Sequence, residues 1–296
     1  MKCLVTGGAG FVAGYLKREL EGRGHEVETS DVADCDLTDP SAVGRLVAAV
    51  RPEAVFHLGG IAFVPTADKT LIERVNVGGT VNLAEAFAAT VPKARFFFVS
   101  TAQVLNEPLS AYAASKLKAE KAVAEIAAAT GLGYQIVRPS NHTGPGQSEK
   151  FAVPGFLQQA LAIKAGRCRS FKVGNLDSTR TFSDVRDVVR AYAEIFERGA
   201  IGATYYVDSG ARYALGEVLA LVARAVGVEG APVEVEPTRW RPTDHSAAVD
   251  CAALRALGWA PKYTLAETLA DMSKAIPVSP RQPCVSPAGA LTARGQ

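Results

Sequence analysis

Tyr112 and Lys116 stand four residues apart in the run Tyr-Ala-Ala-Ser-Lys. On a helix that spacing places a phenol and an ammonium on one face. The ammonium favours the phenolate, so the pair is expected to bring the tyrosine pKa down from about 10 toward the working range. Such a phenol can pass a proton to or from a hydroxyl or carbonyl. Thr101, just past an apolar run ending at Ser100, can give the reacting oxygen a second hydrogen bond.

A second feature supplies a partner for that chemistry. Residues 1–14 read MKCLVTGGAGFVAG: an apolar run, a glycine turn through Gly7, Gly8 and Gly10, then a helical pattern. Strand, glycine turn and helix bring backbone N–H groups and a positive helix end to one place, which suits a pyrophosphate. Gly7-x-x-Gly10-x-x-Ala13 fits a dinucleotide fingerprint, and Asp31 falls about twenty residues on, where a carboxylate accepts from the adenosine ribose. A carboxylate there repels a 2′-phosphate, so NAD is favoured over NADP. Asp31 also suits an ordinary turn. Asp36 and Leu37 border the adenine, or Asp36 caps the helix that begins at Pro40.

The elements that must position these residues alternate along the chain. Strands are expected at Lys2–Thr6, Glu26–Ser30, Ala54–Leu58, Arg95–Ser100, Gly133–Arg138 and Thr204–Asp208. Helices are expected at Phe11–Arg23, Pro40–Val50, Leu71–Thr90, Ala111–Thr130 and Val185–Arg198, with Asp31–Asp36 as a vestigial strand. The alternation predicts an α/β Rossmann fold, a doubly wound parallel sheet covered on both faces. Residues 1–140 and 174–210 form the dinucleotide-binding domain in this reading. Residues 141–173 and 211–276, with helices at Phe151–Gly166 and Leu215–Val226, form a smaller substrate lobe. Residues 277–296, carrying four prolines, are expected to be a disordered tail.

Composition excludes other classes. The chain has 296 residues, 32 basic and 30 acidic, for a formal charge of +2, and no basic run with interleaved aromatics, so nucleic acid is not an expected partner. No window approaches the roughly 18 uncharged apolar residues of a membrane span. The N-terminus lacks the shape of a signal peptide. Five cysteines without a CxxC point to a reducing cytoplasm, and four scattered histidines give no metal site.

The ordered motifs carry a family resemblance. TGGAGFVAG, His57-Leu-Gly-Gly60, Asn76-Val-Gly-Gly-Thr80, Ser100-Thr101, YAASK and Arg138-Pro-Ser-Asn141 resemble the extended short-chain dehydrogenase/reductases that act on nucleotide sugars. The resemblance implies Tyr112 as acid/base, Lys116 as its activator and nicotinamide-ribose contact, and Thr101 as hydroxyl partner. It implies that Gly7, Gly10, Phe11 and Val12 hold the dinucleotide, and that Leu58, Gly59, Gly60, Asn76, Ser100 and Arg138 line it. Later motifs, Arg138 to Gln147, Lys172 to Leu176, Arg180 to Asp187 and Arg241 to Asp244, are similar to the branch that handles GDP-linked 4-keto-6-deoxy sugars. By that resemblance Gln103 and Asn141 meet the sugar region, Val173, Asn175 and Arg180 hold the nucleotide, and Arg241 meets the diphosphate. Arg180 also suits an ion pair with Asp184 or Asp187, Arg241 an exposed loop charge, and His57 and His142 packed structural roles.

Two departures sharpen the reading. Dehydratases of the family carry an acid two residues after the strand-end threonine; here Ala102 and Gln103 follow Thr101, which disfavours dehydration. The link Leu105–Ala111 is short and lacks the usual Tyr-Gly pair. A C4 keto-reductase is the first expectation. A 4-epimerase holding NAD tightly is the alternative, and a cofactor-binding protein without catalysis is the third. Small residues on the helices at Leu71–Thr90 and Ala111–Thr130 favour a homodimer.

Overall fold

The computed structural model describes residues 1–62, 68–91, 95–106 and 109–275, which fall into two compact units. The expected tail at 277–296 lies outside them. The first unit comprises Met1–Ser140, Arg186–Asp208 and Ala247–Ala260. Its strands are β1 (Lys2–Thr6), β2 (Glu26–Ser30), β3 (Ala54–His57), β4 (Arg95–Val99), β5 (Gly133–Pro139) and β6 (Thr204–Val207). They form one parallel sheet in the order β6-β5-β4-β3-β1-β2.

The strands are apolar on both faces because both are covered. Cys3, Val5, Phe56, Phe97 and Val137 point to one side. There they meet α1 (Phe11–Gly22) through Leu16 and Leu20, and the helix Val185–Arg198 through Val188, Tyr192, Ile195 and Phe196. Leu4, Val55, Phe96, Phe98 and Ile136 point to the other side. They meet α2 (Pro40–Val50), α3 (Gly79–Thr90) and α4 (Ala111–Thr130); Val185–Arg198 is then α5. This is the Rossmann-type, doubly wound arrangement expected.

Three local expectations are corrected. The helix expected at Leu71–Thr90 is broken: a short helix Lys69–Glu73 leads into a π-helical turn at Arg74–Gly78 before α3. Asp31–Asp36 forms turns, with Asp34 and Cys35 N–H both donating to the Asp31 carbonyl. The cap of α2 is Asp39, whose carboxylate accepts from Ser41 N–H at 2.9 Å; Asp36 instead turns back on Thr38 N–H.

The second unit comprises Asn141–Val185, Ser209–Ser246 and the segment from Pro261. Helices Ala152–Lys164, Leu215–Val226 and Leu265–Ala275 surround Phe156, Leu157, Val218, Val222 and Leu269. Short strand pairs complete it, Phe171–Val173 with Val233–Val235 and Thr179–Thr181 with Arg212–Ala214. The division differs from the expected boundaries at three places, the smallest being residues 209–210, which belong to the second unit. Residues 174–185 belong to the second unit because Thr179–Thr181 pairs there. Residues 247–260 belong to the first, where Leu254 and Trp259 are buried and the Trp259 indole donates to the Asp187 carbonyl at 3.0 Å.

Candidate active site

β4 delivers Ser100 and Thr101, and the first two turns of α4 deliver Tyr112 and Lys116. Helix α4 starts where Ser110 accepts from Ala113 N–H, and it ends at Gly131, whose φ of 78° is the left-handed stop. The structure brings the Thr101 side chain close enough to the Tyr112 phenol to act on its proton affinity. The buried Lys116 ammonium donates to the Val99 carbonyl at 2.9 Å and lies 4.9 Å from the centre of the Phe98 ring.

The electrostatics differ from the expectation. Burial pushes the Tyr112 phenol up to about 12, and the neighbouring Thr101 side chain works against it. The sequence-based expectation was a lowered value. Burial outweighs it, and the ammonium is tethered to a carbonyl and an aromatic face. Burial also brings Lys116 down to about 8, opposed by the charge of Glu120.

Two loops meet beside this group. Gly7 adopts φ 73°, and a Cβ there would sit 3.0 Å from the Gly59 backbone; a Cβ on Gly10 would sit 2.9 Å from the Gly7 carbonyl oxygen. Helix α1 begins after Gly10 with no side-chain cap and no acidic residue in its first turn. Its first N–H groups therefore suit a phosphate, and the residues present fit a dinucleotide. Asp31 is brought to this loop: Oδ2 accepts from Ala9 N–H and Oδ1 from Val32 N–H, both at 2.6 Å. Phe11 packs edge-on to Tyr15, and Val12 and Leu58 lie against the α1-side core. Leu37 is held by Asn82, which donates to its carbonyl, and its side chain lies against Gly59.

Asn76 is buried by the π-helical turn and ties the second loop to α4. It accepts from Ile61 N–H at 2.7 Å, and donates to the Ile61 carbonyl and to the Ser115 hydroxyl. A Cβ on Gly60 would meet Asn76 Oδ1 at 2.9 Å. His57 is structural. The Thr80 hydroxyl donates to the Asn76 carbonyl, so it accepts from His57 Nε2, and Nδ1 then accepts from Thr6. Burial and the Lys116 charge lower its pKa to about 3, so the ring is neutral.

Two expected cofactor residues are engaged elsewhere. Arg138 pairs with Glu120 and donates to the Tyr206 hydroxyl at 2.7 Å, and Ser100 donates to Glu120. Sequence reasoning missed Glu120, Ser115 and Tyr206; the one available signal was that Glu120 lies a helical turn beyond Lys116. Gln103 is exposed on the one-turn helix Ala102–Leu105, its N–H donating to Thr101 Oγ1.

In the second unit the structure gathers Asn175, Arg180 and Arg241 around one loop. Asn175 donates to the Arg241 carbonyl at 3.0 Å and the Thr243 hydroxyl at 2.7 Å. Arg180 takes neither Asp184 nor Asp187; it forks onto Asp244 at 2.6 and 2.7 Å. Arg241 donates to the Thr238 and Trp240 carbonyls. The Val173 side chain is buried in the core of the second unit, and its carbonyl accepts from Glu236 N–H. The Asn141 carbonyl accepts from Ser183 N–H. Among the described residues no cluster of metal-ligating side chains occurs and no helix is long and apolar enough to cross a membrane.

The family model described as GDP-mannose 4,6 dehydratase matches residues 28–272. The chain belongs to the GDP-mannose 4,6-dehydratase family. Within the family's wider relationships, it is 30% identical to GDP-6-deoxy-D-mannose reductase of Pseudomonas aeruginosa over 90% of this chain and 94% of that one. It is 29% identical to GDP-6-deoxy-D-talose 4-dehydrogenase of Aggregatibacter actinomycetemcomitans, over 75% and 79%. The solved structure of RMD from Pseudomonas aeruginosa complexed with NADPH superposes with a TM-score of 0.81 at 30% identity, covering 93% of this chain and 98% of that one.

Proposed function

We propose that this protein is a nicotinamide-dependent reductase of the C4 keto group of a GDP-linked 4-keto-6-deoxy hexose, GDP-4-keto-6-deoxy-D-mannose first among them. The carrying observation is Thr101 at the end of β4 with Tyr112 and Lys116 one turn apart on α4, and Ala102 and Gln103 where dehydration would need a carboxylic acid. The 30% identity to a GDP-6-deoxy-D-mannose reductase, and an NADPH-bound neighbour, support the same reading.

NAD(P)H supplies the hydride when bound, on the glycine loop and α1 terminus. A phenol held up at about 12 is protonated at neutral pH, which is the form a reduction needs. Tyr112 gives its proton to the oxygen at C4 while Thr101 steadies both. Lys116 then faces the phenolate as a cation. In the second unit Asn175, Arg180 and Arg241 hold the nucleotide, since arginine forks match phosphate oxygens. Asp31, an anion at the ribose position, favours NADH over NADPH. We further expect a cytoplasmic homodimer paired through α3 and α4, with light scattering reading its mass.

The test is turnover of GDP-4-keto-6-deoxy-D-mannose by wild type and Tyr112→Phe, each with NADH and with NADPH. The variant should lose roughly a thousandfold in kcat, and wild type should prefer NADH. A Tyr112→Phe enzyme with ordinary kcat overturns the reading. Interconversion of two GDP-sugars without added coenzyme would move it to the 4-epimerase.

A further inference from the structure

The Lys116 ammonium is only 4% exposed. Its neighbours are a carbonyl, an aromatic ring and the neutral His57. A cation so placed surrenders its proton unless an anion faces it. Glu120 is the carboxylate in position, also 4% exposed and one turn further along α4. Tyr112, Lys116 and Glu120 thus follow one another at four-residue steps along one helix face.

Glu120 is anchored from two strands, β5 through Arg138 and the end of β4 through Ser100. Its Oε1 accepts from Arg138 Nε at 2.9 Å and from the Ser100 hydroxyl, and its Oε2 accepts from the other arm of the Arg138 fork. Arg138, from β5, is held in turn by Tyr206 of β6. The Arg138 fork gives the buried carboxylate two charge-assisted partners inside the core. The network also reaches the strand end: Ser100 immediately precedes Thr101, and the Val99 carbonyl immediately before it takes the Lys116 proton donor.

We infer that Glu120 is a positioning residue of the reaction, the fixed anion that keeps Lys116 charged beside Tyr112 and, through Ser100, sets the strand end that carries Thr101. This rests on the roles given to Tyr112, Lys116 and Thr101 above. The groups that bear on the Lys116 charge are Glu120 from α4, His57 from β3 and, behind Glu120, Arg138 from β5. Of these Glu120 alone favours the ammonium; the His57 ring is neutral above about pH 3. Remove the carboxylate and burial acts unopposed.

Protein labelled with carbon-13 lysine is titrated by NMR, without ligands, as wild type and as Glu120→Gln. The alkaline limb of kcat/KM for reduction of GDP-4-keto-6-deoxy-D-mannose is measured on both. In wild type the Lys116 signal should titrate near 8. In Glu120→Gln it should titrate lower by roughly one pH unit or more, and the alkaline limb should move down with it. An unmoved Lys116 midpoint, whatever the loss of rate, makes Glu120 a fold-stabilising group only and overturns the inference. Should Glu120→Gln not fold because Arg138 is left unpaired, the double variant Glu120→Gln, Arg138→Gln removes both charges and is read the same way. A Tyr112→Phe enzyme with ordinary kcat would instead sink the reductase reading, whichever way Lys116 titrates.

Discussion

The two units hold their candidate functional groups in opposite ways. In the first, Asn76, Ser100, Thr101, Lys116 and Glu120 are all buried, and their partners come from several strands and helices. In the second, Arg241 and Asp244 are exposed, and Asn175 and Arg180 are only half-buried. Their partners are mostly carbonyls and side chains of the same loop cluster. Chemistry gains from donors fixed in a low-dielectric setting before substrate arrives. Recognition by solvent-wet arginines needs no such enclosure. On the proposed assignment of roles, changes in the second unit should alter nucleotide preference while leaving the proton chemistry of the first intact.

Acid should strike hardest at the enclosed group. His57 has its folded pKa near 3 against 6.5 for the free side chain. The unfolded chain therefore binds the extra proton first. Between those values stability rises with pH, and it is lost as pH falls. The full gap corresponds to about 5 kcal/mol, of which about 3 kcal/mol should be gone by pH 4. Urea unfolding at pH 7 and pH 4 reads this. His57→Gln, which does not titrate there, should show an acid loss smaller by about that 3 kcal/mol. Equal acid losses in variant and wild type would mean that the interior of the first unit does not enforce a neutral ring.

Lys116 extends the comparison to a group that the proposed reaction needs and stability does not. Its folded pKa near 8 lies below the ordinary 10.5. Again the unfolded state binds more protons in the window between, so stability rises with pH from 8 to 10.5. Below 8 the whole cost is present, about 3 kcal/mol. Lys116→Met should abolish reduction yet be no less stable than wild type at pH 7, after the Val99 carbonyl loses its donor. Its advantage over wild type should shrink by about 2 kcal/mol between pH 7 and pH 10. A constant difference would mean that the lysine is as well solvated as the arginines of the second unit.

Much of the first unit was legible in the sequence. β1, β2, α2 and α4 match their expected limits because apolar runs, glycine turns and Pro40 mark them locally. The spacing of Tyr112 and Lys116 located a candidate site. Features decided by tertiary fit were not legible. The π-helical turn at Arg74–Gly78 has no local pattern that separates it from an α-helical turn, and Asn76 there bonds to both Ile61 and Ser115. Arg138 meets Glu120 because β5 runs under α4, which no local pattern encodes. The phenol of Tyr112 is raised by burial, and spacing alone says nothing of burial. In the second unit Val173 alternates into the core, and a motif match cannot tell an inward side chain from an outward one.

Arg180 gives the smallest and most discriminating effect. Its fork already grips Asp244, so a nucleotide phosphate must compete with a carboxylate for the same donors. Such an exposed ion pair adds little to stability, commonly under about 1 kcal/mol. A charge-assisted bond to a bound phosphate is stronger, about 1.5–3 kcal/mol. Arg180→Met should therefore raise KM for the GDP-sugar roughly tenfold to a hundredfold while leaving kcat and the melting temperature close to wild type. That pattern marks an interaction made equally in ground state and transition state. A fall in kcat with KM unchanged would mean that Arg180 acts on the reacting centre, and the separation of recognition from proton chemistry would fail. A fall in melting temperature alone would leave Arg180 as the partner of Asp244 and nothing more.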